Sequence, residues 1–174
     1  MNIAIKPEHI NTREALGGKV SLVTGSTSGI GLGIAQALAA AGSDIVLNGF
    51  GKPDDIAQAQ ANIASDFKVH VAYFPADMSK PLAIREMIEG VLQSPGRLDI
   101  LVNNAGTTHS PIAGFPARKV GAILAINLSS AFHTTRLALP AMLQNKWGRM
   151  PRRESHRATT SDAQAAPRFP NWSN

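Results

Sequence analysis

Between Thr24 and Gly31 the chain reads Thr-Gly-Ser-Thr-Ser-Gly-Ile-Gly, with glycines spaced Gly-x-x-x-Gly-x-Gly. Residues of these types at this spacing can cradle a phosphate. Gly25 would let a strand end turn sharply. Gly29 would remove a Cβ where a pyrophosphate must approach backbone, and Gly31 would let a helix pack closely on the strand. The first amides of a helix are unpaired donors, and the helix dipole favours an anion beside them. The short run Val20–Val23 precedes the turn, and an Ala- and Leu-rich helical pattern follows it as far as Gly42. Strand, glycine turn and helix start, in that order, form the first unit of a dinucleotide-binding fold. Thr24, Gly25, Ser28, Gly29, Ile30 and Gly31 are therefore candidate cofactor contacts. The plainer reading is a glycine-rich turn that holds no ligand.

The elements that would position this turn follow from periodicity. Strands are expected over about 20–24, 43–48, 69–74 and 98–103. Helices are expected over about 30–41, 54–67, from Pro81 to about Gln93 with Ser79 as cap, and from about Pro116 to Ser130 or on to Asn145 despite Pro140. Alternating strands and helices predict an α/β fold: a Rossmann-like, doubly wound parallel sheet, here truncated after helix four. Residues 1–18 read as a flexible arm with a short helix near Asn11 to Leu16. Residues 19–149 read as the N-terminal part of a dinucleotide-binding domain. Residues 150–174 contain no Ile, Val or Leu and show no period, the composition of an irregular tail. One explanation of that tail is a changed reading frame.

The glycine motif resembles that of the short-chain dehydrogenase/reductase family, and three later features agree over residues 18–149. Asp77, after the third strand, matches the family's Asp at the adenine. Asn103-Asn104-Ala105-Gly106 matches the family's Asn-Asn-Ala-Gly signature. Asn127, in Ile126-Asn127-Leu128-Ser129, matches the family's helix-four Asn, which orders a proton-relay water. The segment from Asp44 to Gly51, ending Asn48-Gly49-Phe50-Gly51, resembles the 3-hydroxybutyrate branch of the family. That resemblance implies hydride exchange between NAD and a small 3-hydroxy acid, with Asn48 and Phe50 near the cofactor and His109 near the substrate. Thr108 departs from the Gln of that branch. Neither acid nor base stands at Asn48, so the lean to NAD over NADP comes mostly from the resemblance.

The family's chemistry needs a Tyr whose acidity is raised by a Lys four residues later, and a Ser that positions the substrate oxygen. Tyr73 is the single tyrosine, and Asp77 stands four residues after it. No Tyr-x-x-x-Lys occurs. Three readings stay open: an inactive N-terminal fragment of a dehydrogenase, a non-catalytic dinucleotide- or partner-binding half-domain, and a product that misfolds.

Composition sets the remaining bounds. With 44% hydrophobic and 17% charged residues among 174, the chain suits one globular domain with a real core. The net charge of +5 is concentrated in the tail, where five arginines follow Gly148 against Glu154 and Asp162. No basic stripe remains to suggest nucleic acid. No apolar run is long enough to suggest a membrane span, and the absence of Cys leaves no thiolate metal site and points to a reducing cytoplasm. The expected partner is a small-molecule substrate. The family's usual homo-oligomers, and a bare apolar edge on the fourth strand, imply self-association.

Overall fold

Strands and helices alternate as the spacing predicts. The computed structural model describes residues 15–107, 116 and 119–151. They form β1 (Val20–Val23), α1 (Gly29–Ala40), β2 (Asp44–Leu47), α2 (Pro53–Phe67), β3 (Val71–Tyr73), α3 (Pro81–Gln93), β4 (Ile100–Val102), α4 (Val120–Leu124) and α5 (Ser130–Gln144). A π-helical turn, Ala125–Ser129, joins α4 to α5. The strands are all parallel and lie in the order β3-β2-β1-β4. Leu22 of β1 is flanked by Val46 of β2 and Leu101 of β4.

Period-two alternation divides the core between the two faces of the sheet. Leu22, Val46 and Leu101 meet Ile84, Met87, Ile88 and Val91 of α3 and Ala138 and Met142 of α5. Val23, Ile45, Leu47, Ile100 and Val102 meet Ala35 and Ala39 of α1 and Ile63 of α2. Because both faces are covered, β1 and β4 are buried throughout, as a parallel sheet requires.

Three expectations need correction. Leu16 is docked rather than part of a loose arm: its amide donates to Ala41 O at 2.9 Å and its side chain joins the core. The rest of the arm, with most of the helix expected near Asn11, lies outside the described residues. Ser79 does not cap α3; Lys80 takes that place. The Ser79 amide and hydroxyl instead donate to Asp77 Oδ1 at 2.9 and 2.6 Å, since an acceptor two residues away is reached without reordering the chain. The last helix, α5, takes the longer of its two expected extents, running to Gln144 through Pro140. Pro140 is exposed, and Ala138 and Met142 on either side are buried, so core packing outweighs the one lost backbone bond.

The third correction concerns the edge of β4, which is not bare. Arg149 makes a parallel bridge with Ile100. Its amide donates to Asp99 O at 2.9 Å, Leu101 N donates to Arg149 O at 2.9 Å, and Asn103 N donates to Pro151 O at 3.2 Å. Two contacts steer the chain there. Trp147 lies under Lys19 Nζ, 4.3 Å from the ring centre, with Arg149 Cζ at 5.2 Å. At Gly148 a side chain would strike Met142, whose Cβ and Sδ stand 2.7 Å from the position of a Cβ.

Candidate dinucleotide site

The C-terminal ends of the strands gather the motif residues on one edge, where ligands bind in open parallel sheets. Gly25 and Gly29 have φ of +63° and +57°, a region that L side chains rarely adopt. A Cβ on Gly29 would project into open space, whereas a Cβ on Gly31 would overlap the Gly25 carbonyl oxygen and lie 2.6 Å from Asn104 Nδ2. Gly29 thus keeps a surface clear, and Gly31 lets α1 seat against the turn. Ser28 holds the cap position of α1 in extended conformation without a side-chain cap bond, and no acid stands in the first turn. The N-terminal amides and dipole of α1 therefore face a cradle that no carboxylate opposes. The cavity there, of about 170 Å³, is lined by Gly25, Ser28, Ile30, Gly31, Asn104, Ala105 and Gly106.

Several predicted contacts instead form the frame beneath the cradle. Thr24 Oγ1 donates to Val102 O at 3.2 Å and accepts from the amides of Asn104 and Ala105 at 3.0 and 2.9 Å. Asn104 Nδ2 donates to the Thr24 and Gly25 carbonyls at 2.8 and 3.0 Å, locking β4 to the turn. Its Oδ1 is buried and has no partner among the described residues. Asn48 is fully buried. Its Oδ1 accepts from Gly25 N at 3.3 Å, and its Nδ2 donates to Phe74 O and Ala76 O at 3.2 and 3.3 Å. The side chain of Asn48 thus braces the turn from within. Asn103 is half-buried, and its Oδ1 accepts from Thr134 Oγ1 at 2.7 Å, which directs the side chain to α5.

Phe50 remains at the surface, 71% exposed. Two hydroxyls hold its loop: Thr27 Oγ1 donates to Phe50 O at 2.7 Å and Tyr73 Oη to Gly49 O at 2.8 Å. Sequence reasoning missed both braces, and also Ser26. The Ser26 hydroxyl donates to Val23 O at 2.7 Å and accepts from Asn48 N at 3.0 Å. A Ser or Thr in a turn announces a side-chain-to-backbone bond, but not a partner more than 20 residues away.

Asp77 stands beyond the end of β3. The Ser79 hydroxyl and amide, and then Lys80, hold its carboxyl below the ordinary carboxylate range, with burial a smaller opposing effect. Asn127 lies in the π-helical turn, its Oδ1 3.5 Å from the position of a Cβ on Gly106 at the rim of the cradle. Its Oδ1 accepts from Thr107 N and its Nδ2 donates to Thr107 O, both at 2.8 Å. Both ends of the amide are therefore used to pin the strand that leaves Gly106. The side chain thereby fixes the chain at Thr107. Thr108 and His109 lie outside the described residues. Among the described residues no group of three His, Cys, Asp or Glu could hold a metal, and no helix is long and apolar enough to cross a membrane.

The comparisons agree with this geometry. D-beta-hydroxybutyrate dehydrogenase of Cupriavidus necator is 56% identical over 137 residues, 78% of this chain and 52% of that protein. The enzyme of the same name from Rhizobium meliloti is 49% identical over 133 residues, 76% of this chain and 52% of its own. The chain thus spans about half the length of the curated relatives it matches. Among solved structures, L-sorbose reductase from Gluconobacter frateurii, complexed with NADPH and L-sorbose, superposes with a TM-score of 0.74 at 32% identity, over 80% of this chain and 53% of that one. A metagenomic short-chain oxidoreductase in complex with NADP gives 0.73 at 31% identity, over 79% and 62%. The family model for short chain dehydrogenases matches residues 19–158, so it takes in the turn, its braces and the Asn-Asn-Ala-Gly strand end together. This chain belongs to the short-chain dehydrogenase family.

Proposed function

We propose that this polypeptide is a nicotinamide-dinucleotide-binding half of a 3-hydroxy-acid dehydrogenase, and that it has no turnover by itself. The observation that carries the reading is the cradle at the start of α1. It has an open surface at Gly29, an uncapped helix end at Ser28 and a buried Asn104 brace. A pyrophosphate fits such a place, since it needs donors and close approach to backbone. Gly25, Ser28, Gly29, Ile30, Ala105 and Gly106 would hold it, with Asp77 and Phe50 toward the adenosine side.

NAD is the preferred form in this reading. The end of β2 presents the apolar Phe50, and its neighbour Asn48 is wholly engaged inside; the nearest base after the strand is the exposed Lys52, and no Arg of the kind that accommodates a 2′-phosphate stands at the strand end. The 3-hydroxy acid follows from the two D-beta-hydroxybutyrate dehydrogenases among the relatives. A chain without cysteine suits a reducing cytoplasm.

A bound nicotinamide supplies hydride transfer; the chain's own residues would bind and orient it. Among the described residues no matched acid or base stands for the substrate oxygen. Tyr73, the single tyrosine, spends its hydroxyl on Gly49 O, and general acid–base groups are worth ~10²–10⁴-fold in rate. A non-catalytic, dinucleotide-binding half-domain is thus the working description of these 174 residues. Equilibrium dialysis should retain NAD at least ~10-fold better than NADP, and D-3-hydroxybutyrate with NAD should yield no NADH. NADH formation by a preparation whose mass ends at Asn174 would overturn the inactivity, and stronger retention of NADP would overturn the cofactor preference.

A further inference from the structure

We propose that Thr27 and Tyr73 are positioning residues for the dinucleotide: their hydroxyls clamp two successive carbonyls so that the Phe50 ring is held ready as a stacking face for the adenine. The inference rests on the reading above, which puts Phe50 toward the adenosine side, and it adds the residues that fix the ring there. Past the end of β2 the chain must leave the sheet and reach Pro53, the first residue of α2. Asn48 is buried, and Phe50, two residues on, is 71% exposed. The turn between them passes through Gly49 at φ +148°, a conformation that L side chains rarely adopt. Side chains serve both carbonyls of this turn. Tyr73 Oη donates to Gly49 O at 2.8 Å, and Thr27 Oγ1 donates to Phe50 O at 2.7 Å. Gly49 also leaves the room that Thr27 needs, since a Cβ there would stand 2.7 Å from Thr27 Oγ1.

The two donors come from different walls of the site. Thr27 belongs to the glycine turn, two residues before Gly29. Tyr73 ends β3, in register with Leu47 of β2, and the chain beyond it leads to Asp77. One loop is therefore tied, at successive peptides, to the phosphate cradle and to the strand that precedes the acid. A singly exposed aromatic is ordinary, but a ring whose backbone is bonded from both sides is oriented before any ligand arrives. Stacking of a base gains from such a ring, because ordering a loop on binding costs affinity. The Thr27 bond is exposed and the Tyr73 bond only partly buried, so water can replace either donor. Losing one hydroxyl should thus loosen the loop and spare the fold.

Calorimetric titration of NAD into the 174-residue chain and its variants tests the clamp. Tyr73→Phe and Thr27→Val are each expected to weaken NAD binding at least ~3-fold, about the effect of one hydrogen bond, and to keep a cooperative thermal transition. Thr27→Ser, which retains the hydroxyl, should bind NAD as the parent does. Phe50→Ala should weaken binding at least ~5-fold. Tyr73→Phe added to Phe50→Ala should cost nothing further, because a clamp acts only through the ring it holds. Parent affinity in both Tyr73→Phe and Thr27→Val overturns the inference and leaves the cofactor site standing. An undiminished effect of Tyr73→Phe on the Phe50→Ala background does the same. Loss of the cooperative transition in both clamp variants marks the two bonds as structural and also overturns it. A cooperatively folding parent that binds no NAD would instead overturn the dinucleotide reading, and the clamp with it.

Discussion

The two ends of the sheet are held together by different chemistry. At the C-terminal ends of the strands, Thr24, Ser26, Asn48 and Asn104 bind one another and the backbone through neutral hydroxyls and amides. At the N-terminal ends ions join the buried Ser21–Ser43 hydroxyl pair in the same task. Buried Asp99 accepts from Val20 N at 2.9 Å and from Arg97 Nε and Nη2 at 2.7 and 2.8 Å, with Lys19 Nζ 4.0 Å away. Lys19 and Arg149 then lie against Trp147. A carboxylate brace beside the start of α1 would oppose an incoming anion. A neutral frame leaves the helix amides and dipole unopposed. The end with no ligand to hold can use charge for anchoring.

Substitutions should separate the two ends. Gly31→Ala is expected to have the largest effect, because its Cβ would overlap the Gly25 carbonyl oxygen and crowd Asn104. Both are backbone or buried groups with little room to yield, so a loss of about 3 kcal/mol is expected. Urea unfolding should show it, and NAD retention should vanish. Thr24→Val comes next. It keeps the shape but removes the acceptor for the Ala105 amide, at a cost of about 2 kcal/mol, with weaker NAD retention besides.

Asp99→Asn tests the other end. It should lower stability by about 1–2 kcal/mol and leave NAD affinity unchanged. Equal loss of affinity in Thr24→Val and Asp99→Asn would erase the distinction between the two ends.

The smallest effect is one of pH. Burial pushes the Asp99 carboxyl up, but the hydrogen bond from Arg97, the Val20 amide and the charges of Arg97 and Lys19 together outweigh it and hold the group below the ordinary range. Its folded pKa is therefore lower than the unfolded value of about 3.9. Its contribution is complete above that value and is lost as pH falls through the lower folded one. Urea midpoints should drop below pH ~4 in the parent, and drop less in Asp99→Asn.

The sequence displayed the turn plainly, because Gly25, Gly29 and Gly31 are each needed for a local reason. It also displayed the sheet, because strands buried on both faces read as apolar runs between amphipathic helices. It did not display which motif side chains brace the turn from within. Asn48 and Asn103 look like ligand contacts by position, yet their amides turn inward to Gly25 and Thr134. Such partners are fixed by how β2 and α5 lie in space. The pairing of Arg149 and Pro151 with β4 was hidden for a similar reason. A segment with no apolar period gave no strand signal, and contacts of Trp147 with two distant cations set its path.

Calorimetric titration of NAD into the chain and into Gly29→Ala tests the central claim most directly. Gly29 has open space around it, so alanine there adds only the modest strain of a positive φ, about 1 kcal/mol, and the variant should keep a cooperative thermal transition. The account predicts saturable binding at one site in the parent and at least ~10-fold weaker binding in the variant, because the new methyl occupies the surface a pyrophosphate approaches. Equal affinity in the two folded proteins, or no binding to a parent that unfolds cooperatively, would contradict it.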